Sequence, residues 1–152
     1  HDDLVAIVEA CVEAGVSGII ASNTTLARPD HLDGVHAGES GGLSGAPLFE
    51  AATAILADVA RLSDRRLGLI GAGSVANGWQ AYAKILVGAD LVQLYSGLAL
   101  GGPHLPGCIL HQLAAMMDTD GISAPHKIKG QIPDPVKAIK YAKDLYKRIS
   151  EQ

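Results

Sequence analysis

Aromatic side chains are scarce in this chain, 4% of its 152 residues, with one Trp and one Phe. Single-strand or RNA binding usually needs aromatics interleaved with cations. Cations are sparse in the first 118 residues and not so interleaved, which argues against nucleic acid as a partner. Cysteine is equally rare. Cys11 and Cys108 stand far apart, with no disulfide framework and no zinc spacing. Cys11 shares an apolar helix face with Leu4, Val8 and Val12, so both cysteines read as buried free thiols of a reducing compartment. No apolar run approaches the ~18 residues of a membrane-spanning helix. A signal-peptide pattern is lacking too, and the chain opens at His1-Asp2-Asp3, directly in a helix start. It reads as a protein entered in its middle.

Hydrophobic residues make up 48% and charged residues 18%, the composition of a globular domain with a real core. The net charge of −4 hides an asymmetry. Residues 1–118 carry 12 acidic and 5 basic side chains, whereas residues 119–152 carry 4 acidic and 7 basic. That shift divides the chain into a body, 1–118, and an atypical basic tail, 119–152.

Periodicity places a helix over 2–14 with acids in its first turn and Gly15 as its stop. A strand, Val16–Ala21, leads into Ser22-Asn23-Thr24-Thr25 and a long polar, Gly-rich segment over 23–46. Pro47 introduces a second helix to about Leu62, with Leu48, Ala52, Ile55, Leu56 and Val59 on one face. Arg66–Ile70 is a second strand and leads into Gly71-Ala72-Gly73-Ser74; a helix over about 76–87 follows. Asp90–Leu94 is a third strand, breaking into Tyr95-Ser96-Gly97 before a helix over about 104–117. Three strands that each end in hydroxyls, amides or glycines predict a parallel α/β sheet with its binding chemistry at the strands' C-terminal ends. A complete (β/α)₈ barrel takes about 250 residues, so only part of one fits here. In the tail, Asp134 caps a helix with Pro135 at its first position. Val136, Ile139, Ala142, Leu145, Tyr146 and Ile149 line its apolar face. Such a basic amphipathic helix either docks on its own domain or lies on a membrane surface.

Gly71-Ala72-Gly73-Ser74-Val75-Ala76 follows a strand and opens a helix, as a dinucleotide fingerprint does. A Rossmann site also needs an acid at the C-terminal end of the following strand. Asp90 stands at that strand's beginning, so the phosphate reading survives and the dinucleotide reading weakens. The plain alternative is a tight turn. Ser22-Asn23-Thr24-Thr25 offers neutral donors and acceptors, suited to an amide- and carbonyl-rich ring, or simply a turn and cap cluster. The histidines are His1, His31, His36, His104, His111 and His126. None pairs at metal-ligand spacing, and His31 and His36 read as surface residues of a polar loop. No general base stands out.

Taken together, Ser22-Asn23-Thr24-Thr25, Gly41-Gly42-Leu43-Ser44-Gly45-Ala46-Pro47-Leu48, Ile70-Gly71-Ala72-Gly73 and Gly88-Ala89-Asp90-Leu91-Val92-Gln93-Leu94-Tyr95-Ser96-Gly97 closely resemble, in order and spacing, the C-terminal half of class 2, quinone-linked dihydroorotate dehydrogenases. The resemblance covers about residues 2–117. It implies a TIM (β/α)₈ barrel, of which this chain holds about three C-terminal βα units, strands six to eight, plus the C-terminal helix. It also implies FMN as cofactor, oxidation of dihydroorotate to orotate in pyrimidine synthesis, and electron transfer to a quinone. By motif, Asn23 and Thr24 would bind substrate. Ser22, Ser44 and Gly45 would lie at the flavin, and Gly73, Ser74, Leu94, Tyr95 and Ser96 at the FMN ribityl phosphate. The full-length family member is expected at the cytoplasmic side as a peripheral membrane protein.

Three departures bear on this reading. The family usually has a glycine where this chain has Ser74, at a cost if that position needs φ > 0. The tail from about Asp118 is unlike the family's ending. The family's N-terminal half, with its serine base, further asparagines and lysines and quinone tunnel, is not in these residues. Residues 1–152 alone are therefore expected to be inactive. The alternatives are a non-catalytic FMN- or phosphate-binding half barrel, self-associating through open sheet edges, and a Rossmann-type nucleotide binder.

Overall fold

The computed structural model describes residues 2–30, 32 and 35–151. The readings of His1 and His31 lie outside those residues. Helix α1 (Asp2–Glu13) precedes β1 (Gly18–Ala21), α2 (Phe49–Ser63), β2 (Gly68–Gly71) and α3 (Gly78–Val87). Then come β3 (Leu91–Val92), α4 (Ser96–Gly101), α5 (Leu105–Thr119) and α6 (Pro135–Ser150). Short 3₁₀ turns at Ala46–Leu48 and Pro125–Lys127 lead into α2 and toward α6.

The strands form one parallel sheet in the order β1-β2-β3. Ile19 pairs with Leu69, Ile20 with Ile70, and Ile70 with Leu91. Alternation along a strand sends neighbours to opposite faces. Ala21 and Leu69 belong to the main core, with Leu56 and Val59 of α2, Leu86 of α3 and Met116 of α5. The Ile20–Ile70–Leu91 row points the other way, and Ile20 and Leu91 are exposed. A three-stranded parallel sheet with sequential order and one covered face is the geometry of a barrel-wall segment, and it is shared by one βαβαβ half of a doubly wound sheet.

β3 is shorter than the expected 90–94. It has a partner on one side only, and its pairing continues past its ends through Asp90 N–H to the Leu69 carbonyl and Gln93 N–H to the Gly71 carbonyl. The Asp90 carboxylate accepts from the Leu69 amide at 2.8 Å and pairs with Lys129. Burial pushes its pKa up, but the bonds from Lys129 and Leu69 and the Lys129 charge hold it below the usual range. Asp90 thus ties the opposite end of the sheet, as its position at the strand's start implied.

The tail helix α6 docks along α3 and also touches α2 and α5. Asp134 caps it, accepting from the Val136 and Lys137 amides. Ala138, Ile139, Ala142 and Leu145 are buried in the shared core. Most of its apolar face is thereby buried against the body. Three expectations need correction. Val136 is exposed because the face centres on Ala138 and Ala142. Ile55 is also exposed, and Thr53 takes the inward position, its hydroxyl bonded to the Phe49 carbonyl. Cys108 stands on the outward side of α5 and is exposed, whereas Cys11 is half-buried. No described helix is long and apolar enough to cross a membrane.

Candidate functional site

Three strand-end turns meet at the C-terminal edge of the sheet. The first leaves β1 at Ala21–Ser22, a cis peptide. The Asn23 side-chain oxygen accepts from the amide of its neighbour Thr24 at 2.8 Å, a bond within the turn itself. Two described stretches of the 23–46 segment, around Thr25 and around Leu43, come together beside the turn. Thr25 and Leu43 exchange backbone hydrogen bonds of 3.1 and 2.7 Å, and Arg28 donates to the Gly41 carbonyl at 2.7 Å. Gly42 permits this approach, since a Cβ there would overlap the Thr24 hydroxyl.

The second turn follows β2. Gly73 has φ +89°, and a Cβ there would lie 2.6 Å from Ala52 Cβ of α2. Ser74 follows with φ +58°, so the position where the family usually carries glycine is left-handed here. Beyond it, Asn77 caps α3 by accepting from the Gln80 amide, and Gln80 reaches back to the Ala76 amide at 2.8 Å. The third turn leaves β3 through Tyr95 and Ser96. The Ser96 hydroxyl donates to Ser44 Oγ at 2.9 Å, joining this turn to the 23–46 segment.

The turns enclose a cleft of about 180 Å³ lined by Ser22, Asn23, Thr24, Ser44, Gly45, Gly73, Ser74, Tyr95 and Ser96. All but one of the residues singled out from sequence line it. The exception is Leu94, whose side chain packs against the Val75, Ala81 and Ile109 cluster. Gln93, which sequence reasoning passed over, also lines it. The alternation Val92-Gln93-Leu94 was its signal, because it turns one polar residue away from two apolar neighbours. A second cleft of about 350 Å³ adjoins, sharing Gly45, Ser74 and Ser96 and floored by Val75 and Leu105. Neither cleft is lined by a charged side chain. A cleft of about 360 Å³ opens at the other end of the sheet, around Leu67, Gly88 and Lys129, away from all three turns. No cluster of three His, Cys, Asp or Glu suited to a metal occurs among the described residues.

The arrangement is a neutral, hydroxyl- and amide-rich site at the strand ends of a barrel segment. Its motifs have a definite counterpart among known sequences. The sequence model for dihydroorotate dehydrogenase matches residues 2–117. The chain belongs to the dihydroorotate dehydrogenase family. It is 49% identical over 122 residues to the dihydroorotate dehydrogenase (quinone) of Parvibaculum lavamentivorans, covering 80% of this chain and 35% of that protein. With the dihydroorotate dehydrogenase (quinone) of Azorhizobium caulinodans the identity is 52% over 118 residues, covering 78% and 33%. Among solved structures, the Eimeria tenella enzyme in complex with ferulenol superimposes with a TM-score of 0.81 and 29% identity. That match covers 85% of this chain and 34% of the other. The chain thus spans about a third of the length of the dihydroorotate dehydrogenases it matches. The family-model match ends at residue 117, whereas the superposition on the Eimeria tenella structure, over 85% of this chain, extends into the tail.

Proposed function

We propose that this chain forms the strand-six-to-eight part of an FMN-dependent dihydroorotate dehydrogenase of the quinone class. The supporting observation is the convergence of three strand-end turns on one cleft of neutral hydrogen-bonding groups. The donor set fits FMN: hydroxyls at Ser44, Ser74 and Ser96, a glycine turn at Gly73, and no carboxylate to repel a phosphate. In this reading Asn23 and Thr24 hold dihydroorotate or orotate. Ser22, Ser44 and Gly45 lie against the flavin, and Gly73, Ser74, Leu94, Tyr95 and Ser96 hold its ribityl phosphate, Leu94 through its backbone. Bound FMN would accept the hydride that leaves the substrate ring. The side chains here orient substrate and exclude charge from the cleft; none is placed to remove a ring proton.

The uncovered Ile20–Ile70–Leu91 face would then be the inner wall of the barrel, closed by strands from polypeptide beyond these residues. The quinone and the peripheral membrane association belong to that fuller assembly. The basic tail, 119–152, rests its helix α6 on α3.

Fluorescence titration with FMN tests the site, and dihydroorotate oxidation with a quinone acceptor tests the activity. The chain alone is expected to bind FMN without turnover, and to gain turnover when the preceding barrel strands of a quinone-class relative are fused to it. FMN binding with no turnover in the fusion supports the non-catalytic half barrel instead. Absence of FMN binding in both overturns the proposal.

A further inference from the structure

A flavin phosphate carries close to two negative charges at neutral pH, yet the clefts offer it only uncharged groups. One cation lies behind the turn. Lys84 of α3 is completely buried. Its ammonium donates to Thr53 Oγ1 at 3.3 Å and sits 5.3 Å from the centre of the Phe49 ring. It has no ion-pair partner among the described residues.

Its position relative to the turn follows from two contacts. The stem lies against Gly71, where a Cβ would be 3.0 Å from Lys84 Cδ; Gly71 ends β2 and starts the Ala72–Ser74 turn. Gly73 packs on Ala52, and the ammonium bonds to the next residue, Thr53. The turn and the ammonium therefore abut the same stretch of α2 from two sides. Few other charges face this pocket. On α2, Glu50 is exposed and Asp58 pairs with Arg61 at the surface; β2 contributes none. From α6, Lys143 stands over Trp79, whose ring meets Phe49 edge-on at 5.1 Å. An unpaired buried ammonium is costly to the fold, and an anion held at the adjoining turn would offset part of that cost.

We infer that Lys84 is a positioning residue for the flavin phosphate, its buried ammonium supplying through the Gly71–Ser74 turn the positive charge that the cleft lacks. The inference rests on the FMN reading above. Burial lowers the Lys84 pKa to about 8, so the group is mainly protonated at pH 7 and loses its charge in mildly alkaline solution.

The test titrates the full chain and its Lys84→Met variant with FMN and with riboflavin, which lacks the phosphate. In the native chain FMN should bind more tightly than riboflavin at pH 7, and that preference should shrink between pH 7 and 9.5. In Lys84→Met the preference should fall roughly tenfold, the scale of one charge pair at protein-like dielectric, with riboflavin affinity and pH response flat. A preference that survives in Lys84→Met, or that ignores pH in the native chain, overturns the role of Lys84. Equal binding of FMN and riboflavin by the native chain at pH 7 overturns the phosphate reading itself. Should Lys84→Met fail to fold, the native pH profile alone decides.

Discussion

The Tyr82 hydroxyl of α3 donates to the Asp120 carboxylate at 2.5 Å, and Tyr141 of α6 donates to the other carboxylate oxygen at 2.9 Å. One acid beyond the end of α5 therefore clamps the tail helix to the body. Burial and the neighbouring carboxylate push the Tyr82 pKa well above its usual value. Asp120→Asn keeps the shape but presents an N–H₂ where one hydroxyl needs an acceptor. It should cost about 1–3 kcal/mol and lower the single urea midpoint of body and tail together. A body transition that stays put while only the tail loosens in hydrogen exchange would show that the two halves fold separately.

Ser74 holds φ +58° in the turn after β2. A left-handed conformation costs a non-glycine residue about 1–2 kcal/mol, offset in part by the roughly 0.5–1 kcal/mol that glycine loses in ordering. Ser74→Gly should therefore melt at or slightly above the native temperature. Ser74→Val, branched at a positive φ, should lose at least about 1 kcal/mol. Calorimetry of the two variants checks the order, and a Gly variant less stable than Val would refute it.

Lys84 makes stability depend on pH. Its unfolded pKa is near 10.4 and its folded pKa about 8. Between those values the unfolded chain binds the proton that the folded chain has released, so unfolding free energy rises with pH from about 8. Above about pH 10 the raised Tyr82 and Tyr141 pKa values act in the opposite sense, because tyrosinate forms more readily in the unfolded chain. Denaturation series should show a rise between pH 8 and 10 of up to about 3 kcal/mol and a fall beyond. Lys84→Met should remove the rise and keep the fall. A profile unchanged by the substitution would assign the rise to another group.

Ile20 and Leu91 are 57% and 62% exposed on either side of Ile70, on a face that no described helix covers. Two open sheet edges flank it, a combination that promotes pairing between chains. The chain by itself should associate with rising concentration in sedimentation velocity, and Ile20→Lys with Leu91→Lys should shift it toward monomer. A native chain that stays monomeric at high concentration would remove self-association from consideration.

Most elements are legible locally. Asp134-Pro135 marks the start of α6 because an acceptor side chain and a preset φ serve the first turn whatever surrounds it. Gly41–Leu48 and Gly71–Ser74 are readable as turns for the same reason. Tertiary contacts decided what local rules leave open. Ile55 and Val136 lie close to apolar stripes, and packing chose Thr53 and Ala138 over them because small residues let α2, α3 and α6 approach. Leu94 has the right position for the cleft, yet a satellite cluster captures its side chain. Gln93 lines the site because alternation along β3 leaves it facing away from that cluster.

The amino-acid order by itself determined three βα units, their family and the residues at their strand ends, because turns, caps and periodicity act over a few residues. The tertiary structure alone decided that the Ile20–Ile70–Leu91 face is bare, that the basic tail docks on α3, and that Lys84 sits without a carboxylate behind the glycine turn. Each depends on elements tens of residues apart, where burial and pairing are settled only when the helices close on the sheet.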